Sequence, residues 1–204
     1  MLTPLLAPPL CWSCARTAPP GLALCHDCSR GLRRLPPEPV TLAGVPCFAP
    51  VAYEGPARDL VRALKFRAAL AVAGAMAAAI VAGAPPGFLA GAALVPVPLS
   101  RRRERRRGFN QAHALSLALA RRTGAEVVPC LRRRAGHGTQ VGRDRSERSR
   151  ALRGSMTASE APADAVIVDD VVTTGATLAA AAEALRCAGC TGIRAVAYAR
   201  TGGR

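Results

Sequence analysis

The stretch Val166-Ile167-Val168-Asp169-Asp170-Val171-Val172-Thr173-Thr174-Gly175-Ala176-Thr177-Leu178 decides the fold. An apolar strand over 164–169 runs into two adjacent acids. A bend rich in hydroxyls follows and feeds a helix over 174–188. Open α/β sheets bind ligands at the carboxyl ends of their strands. At Gly175 the missing side chain lets a ligand approach the backbone. The free N–H groups from Gly175 to Thr177, with the hydroxyls of Thr173, Thr174 and Thr177, suit a phosphate. Asp169 and Asp170 repel a phosphate, but they suit the two vicinal hydroxyls of a ribose. Diol at the acids and phosphate in the bend read together as a ribose 5-phosphate site. The plainer alternative is a capped helix with an acidic pair at its positive end. The chain has no Gly-Lys-Ser/Thr run, which disfavours an ATPase.

Outward from this stretch, strand and helix patterns alternate. Pro46–Tyr53 reads as a strand leading to a turn at Glu54-Gly55-Pro56. Leu60, Val61 and Leu64 then carry helical spacing through Lys65. An Ala-rich helix fills 68–83, and Ala92–Pro98 is a buried strand. A basic loop over Arg101–Gly108 precedes a helix that starts near Phe109 or Asn110 and stops at Gly124. Glu126–Leu131 and Ile193–Ala199 read as further strands. Residues 132–158 are polar, Arg-rich and aperiodic, apart from a short helix near 146–152. The pattern predicts an α/β domain with a mainly parallel sheet and helices on both faces. The uncharged run 68–100 is dominated by Ala and Gly and is split by Pro85-Pro86, so a buried helix and strand fit it better than a membrane span. The N-terminus lacks a basic start and is broken by Pro4, Pro8 and Pro9, so no targeting segment is expected and the chain is placed in the cytoplasm.

Composition narrows the chemistry. The chain has 204 residues, half of them apolar but only 3 % aromatic, so the core is built from Ala, Val and Leu and base-stacking platforms are scarce. The net charge is +15. Residues 101–153 hold 16 Arg against four acids, which gives +12 of it. Such a field suits a phosphate-bearing partner, either a small ligand or a nucleic-acid backbone. Arg101, Arg102, Arg103 and Arg107 lie just beyond a strand end, where their planar forks suit a polyphosphate. A solvated basic loop is the alternative. Asn110 reads equally as a helix cap or a ligand-orienting group. Lys65 is the only lysine and reads first as a surface residue, with a role for a compact ammonium as the alternative.

Cys11-Trp-Ser-Cys14 and Cys25-His-Asp-Cys28 open the chain. Two such pairs ten residues apart offer four thiolates to one tetrahedral Zn²⁺, which would supply folding energy to a segment too short for its own core. Disulfides or a redox pair are weaker readings for a cytoplasmic chain. His26 is a bystander, and Trp12 covers the site. Leu35–Pro39 is a linker between a zinc module over 1–38 and the main domain over 39–204. Cys47 and Cys130 read as buried strand residues, and Cys187 and Cys190 as packing cysteines. His113 and His137 receive no catalytic role.

The order strand, acid pair, Thr-Thr-Gly-x-Thr bend, helix closely resembles the fingerprint of type I phosphoribosyltransferases. Tyr53-x-Gly55-x-x-Arg58-x-Leu60-x-x-x-Leu64-Lys65-Phe66, Val95-Pro-Val-Pro98, Arg107-Gly-Phe-Asn-Gln111 and the paired CxxC together resemble the ComF family, also called GntX-like or competence protein F. The resemblance implies binding of phosphoribosyl pyrophosphate with Mg²⁺, the loop after 92–98 facing the pyrophosphate, and Asp169 and Asp170 as the catalytic pair. It implies a link to DNA uptake, with single-stranded DNA and a competence helicase as partners. Two roles follow: a transferase that releases pyrophosphate, or a non-catalytic accessory that binds single-stranded DNA. One tract departs from the family: Gln140-Val-Gly142 is followed by Arg143, and Ala151 stands where Asn is expected. That departure puts the acceptor chemistry in doubt.

Overall fold

The computed structural model describes residues 9–66, 70–134 and 154–202. Met1–Pro8, the tract with Gln140, Arg143 and Ala151, His137 and the expected helix near 146–152 lie outside the described residues.

In chain order the elements are α1 (His26–Arg30), β1 (Val40–Leu42), β2 (Val45–Phe48), β3 (Val51–Ala52), α2 (Gly55–Phe66) and α3 (Leu70–Gly83). There follow β4 (Ala93–Pro96), α4 (Arg101–Arg107), α5 (Gln111–Thr123), β5 (Leu131–Arg133), β6 (Met156–Ala158), β7 (Asp164–Val172), α6 (Ala176–Cys187) and β8 (Gly192–Arg200). The main sheet runs β1-β2-β8-β7-β4, with β3 also on β8. Its pairings are parallel except β1 with β2. The mainly parallel α/β sheet is therefore as expected.

β7 and β8 sit at the centre because both are apolar on both faces, as a strand covered by helices on each side must be. Val166, Val168, Val196 and Tyr198 pack under α2, α3 and α5. Ala165, Ile167, Ala195 and Ala197 pack under α6. α3 buries Val72, Ala73, Met76, Ala77 and Ile80, a helical stripe of mostly small side chains. Among the described residues, no helix is long and apolar enough to cross a membrane.

Three boundaries differ from the sequence reading. The strand expected over 46–53 is two pieces in one register on β8, Cys47 against Ala195 and Val51 against Ala199. Pro50 sits in the gap because it has no N–H to give the ladder. The basic stretch 101–107 is a helix rather than a loop. Ser100 caps it by accepting from the Arg103 N–H at 3.4 Å, and Gly108 closes it in the left-handed region. The strand expected over 126–131 is a single bridge from Val127 to Leu94, and β5 starts where that strand was to end. Pro129 interrupts the extension.

Gly175 is the N-cap of α6 at φ 77°. A Cβ there would lie 3.1 Å from the Leu42 Cβ and 3.3 Å from its carbonyl carbon. The close approach expected from a ligand is thus made by the β1–β2 hairpin, which buttresses the start of α6. Gly175→Ala should therefore lower unfolding free energy by about 1–3 kcal/mol in urea denaturation. Gly74→Ala, mid-helix in α3 with nothing within 4 Å, should raise it by roughly 0.5–1 kcal/mol.

Candidate functional site

The acid pair lies inside β7, with Val171 and Val172 still in the ladder beyond it. Apolar alternation slips by one residue across the acids. Val166 and Val168 share a cluster with Val171, whereas Ala165 and Ile167 share one with Val172. The two consecutive carboxyl groups meet at this slip. Asp169 Oδ1 also accepts from the Asp170 N–H at 2.8 Å. Burial holds the Asp169 carboxyl well above the usual range, and the Asp170 charge and hydrogen bond push it further the same way.

Asp170 is buried and contacts Lys65 Nζ through Oδ2 at 2.7 Å. The contact lacks hydrogen-bond angles, so it is an ion pair rather than a directed bond. Lys65 comes from the last turn of α2, and its side chain is only 22 % exposed. The surface reading of Lys65 is thereby corrected. The amphipathic pattern of α2 hid this, because the site lies at the helix end, past the last apolar position. The Arg107 guanidinium sits 5.3 Å from the Phe66 ring centroid, one residue on. Burial lowers the Arg107 pKa, and the nearby Asp170 charge offsets part of that.

The four arginines singled out in sequence therefore part company. Arg107 joins Asp170 and Lys65. Arg101, Arg102 and Arg103 are exposed and line a cleft of ≈ 1020 Å³ with Arg133, Asn110 and Ser155. Asp169, Asp170 and the threonine bend are not among the residues lining that cleft. Arg133, which the sequence reading did not single out, donates from Nε to the Pro98 carbonyl at 2.9 Å and lies within electrostatic range of Asp169. Its only signal was membership of an Arg-Arg-Arg run, whose strand phase is not legible. Asn110 proves to be a cap: its Oδ1 accepts from the Ala112 N–H at 2.9 Å, while its Nδ2 donates to the Val97 carbonyl at 3.0 Å.

Beyond the acids, Thr173 and Thr174 are exposed, and Ala176 and Thr177 are half-buried. Gly175 is covered by the hairpin. Thr174 Oγ1 accepts from the Ala176 N–H at 3.4 Å. The bend is therefore open to solvent on its hydroxyl side, with helix-start N–H groups beside it.

The cysteines form a separate cluster. Sγ atoms of Cys11, Cys14, Cys25 and Cys28 all lie within 4.8 Å of one another. Cys14 and Cys25 are 3.7 Å apart. A tetrahedral zinc thiolate site with bonds of about 2.3 Å has edges of about 3.8 Å, whereas a disulfide needs about 2.05 Å. All four are free thiols, so the disulfide alternative falls away and the group can hold a metal such as zinc. The Arg16 N–H and guanidinium pull Cys14 down to about 6, while burial and then Cys14 push Cys28 up to about 12. A cation is what would deprotonate all four together at neutral pH. His26 is exposed and outside the cluster. Ser13 Oγ donates to Asp59 of α2 at 2.7 Å, and Cys11, Leu24 and Cys25 pack in the α2 cluster. Cys47, Cys130 and Cys190 are buried, but Cys130 precedes β5 and Cys187 is exposed, so Cys187 is not a packing residue.

Comparison with known proteins bears on this arrangement. The family profile described as phosphoribosyl transferase domain matches residues 67–204. The DNA utilization protein YhgH of Escherichia coli (strain K12) is 32% identical over 229 residues, covering 97% of this chain and 99% of that protein. Competence protein ComFC of Bacillus subtilis (strain 168) is 37% identical over 94 residues, covering 45% of this chain and 37% of that protein. Competence protein F of Haemophilus influenzae (strain Rd) is 37% identical over 100 residues, covering 46% of this chain and 44% of that protein. The chain thus spans nearly all of YhgH and under half of the two competence proteins. Together with the parallel sheet, the strand–acid–bend–helix order and the four-cysteine cluster, these matches place the chain in the phosphoribosyl transferase domain family, as a ComF-family member.

Proposed function

We propose that the protein binds phosphoribosyl pyrophosphate at the junction of β7 and α6 and acts in the cytoplasm in the handling of DNA taken up by the cell. The observation that carries this reading is the meeting of Asp169 and Asp170 beside an open threonine bend, with Lys65 and Arg107 as the adjacent cations. Asp169 and Asp170 accept hydrogen bonds from the ribose hydroxyls. Thr173, Thr174 and Thr177, with the N–H groups at the start of α6, hold the 5-phosphate. Arg107 faces the pyrophosphate, with Arg101, Arg102 and Arg103 drawing the anion in from the neighbouring cleft. The four cysteines are the only metal-type cluster among the described residues. Mg²⁺ would therefore come with the ligand, on its pyrophosphate oxygens and one carboxylate at most, and would neutralise the departing charge. Turnover would break the bond from the anomeric carbon to pyrophosphate while a nitrogen acceptor attacks. The four cysteines hold a structural Zn²⁺ in a module over 1–38 that braces α2, next to the transferase-like domain over 39–204.

A second reading has its own support. The six arginines of α4 within seven residues are exposed apart from Arg107. The relatives are named for DNA utilization and competence. A non-catalytic accessory that binds single-stranded DNA along α4, and passes it to a competence helicase, uses the same fold. Its binding would be electrostatic, with affinity falling steeply as salt rises.

Calorimetric titration with Mg²⁺ and phosphoribosyl pyrophosphate tests the first reading. Wild type should bind, and Asp169→Asn with Asp170→Asn should abolish binding while single-stranded DNA binding persists. Binding without pyrophosphate release across a panel of bases and amines would favour the accessory. Asp169→Asn alone should also alter stability with pH. The folded pKa of Asp169 is raised, so the penalty for ionising it starts above its unfolded value of about 3.9. It grows until pH passes the folded value. The variant should therefore be more stable than wild type at pH 8 and no more stable at pH 3.5, as read by thermal melts. Cys14→Ser should lower bound zinc, measured by atomic emission, and destabilise the contact with α2. Wild type should lose zinc as pH falls and protons compete for the thiolates.

A further inference from the structure

The chain carries 28 cations, of which Lys65 alone is lysine. That single ammonium is the group that reaches the buried carboxylate. It leaves the last turn of α2 and ends 2.7 Å from Asp170 Oδ2. A lysine so placed gives up rotamer freedom and hydration that a surface lysine keeps. Arg107 on the Phe66 ring fixes the end of α2 against α4, so the ammonium is delivered from a braced position. Chemistry separates this lysine from the arginines. A guanidinium fork takes both oxygens of a carboxylate at once, whereas an ammonium is a point charge that can sit on one.

We infer that Lys65 is a positioning residue whose ammonium keeps the Asp170 carboxylate ionised by contacting Oδ2, leaves its other oxygen for a ribose hydroxyl, and so sets the acid limit of ligand binding. The inference rests on the phosphoribosyl reading for the identity of the ligand, but not for the state of Asp170. The groups facing the pair are few: Lys65 from α2, Arg107 from α4 and Asp169 from β7 itself, with Arg133 from β5 and Cys47 from β2 on the Asp169 side. Without Lys65, two meeting carboxyl groups in a buried setting retain one charge between them only with difficulty, and Asp170 takes up a proton at a higher pH. Burial and the Asp170 charge already hold the Asp169 proton on, which agrees with this arrangement.

The test uses the full chain with carbon-13-labelled aspartate, the Asp170 signal being assigned through Asp170→Asn. Lys65→Met should raise the Asp170 midpoint by about 1–3 pH units. Affinity for phosphoribosyl pyrophosphate with Mg²⁺ should then drop at neutral pH and recover toward the wild-type value as pH is raised. Lys65→Arg should keep the midpoint near that of wild type, yet weaken ligand binding by roughly tenfold or more, because the fork takes the oxygen meant for the hydroxyl. Thermal melts establish that each variant is folded. A midpoint unmoved by Lys65→Met, or a Lys65→Arg variant that binds as tightly as wild type, overturns the inference. A wild-type protein that binds no phosphoribosyl pyrophosphate sinks the proposed function instead, and the carboxyl titration still decides what Lys65 does.

Discussion

Two carboxyl groups set side by side at the centre of a sheet are costly, and the arrangement of this protein follows from that cost. Burial and mutual repulsion both favour the neutral acid at Asp169. The compensating charge comes from α2 as Lys65, with Arg107 of α4 nearby. An apolar pair at the same positions would suit β7 better, since every side chain from Ala165 to Val168 is buried and hydrophobic. Keeping acids there marks the position as one held for a ligand rather than for the fold.

The elements around the pair position it from separate directions. The β7–β8–β4 register fixes the strand, and the Val97 N–H donates to the Val168 carbonyl at 3.0 Å just before the acids. The β1–β2 hairpin presses on Gly175 and so fixes where α6 begins. The four-cysteine module packs on α2, the helix that carries Lys65. A metal bound 1–38 residues into the chain therefore has a mechanical line to the site: metal to module, module to α2, α2 to the ammonium. The arginines divide into one that faces the acids and a group that lines the cleft beside them, which separates a short-range electrostatic role from a long-range one.

Much of this was legible in the sequence because it was written locally. The 166–178 run displays strand, acids, bend and helix in contiguous residues, and period and turn chemistry suffice to read them. The two CxxC pairs announce a four-sulfur site by spacing alone. The arginine stretch 101–107 was read as a loop because seven polar residues show no apolar period. Its helix is instead defined by Ser100 and Gly108 at its ends, and it buries none of its residues. The extension over 126–131 carried apolar residues but also Pro129, and the ladder stopped accordingly.

Sequence by itself determined the sheet class, the order of the acid pair and phosphate-type bend, and the cysteine set, because each is a property of neighbours along the chain. Tertiary structure alone decided which cation meets Asp170, which arginine leaves the group, what presses on Gly175 and that Arg133 stands near Asp169. Those pairings join residues 18 to 133 positions apart, such as Lys65 with Asp170 and Gly175 with Leu42. Charge counts cannot sort 28 cations among partners, because the sorting is done by helix packing and sheet register, which no local pattern encodes.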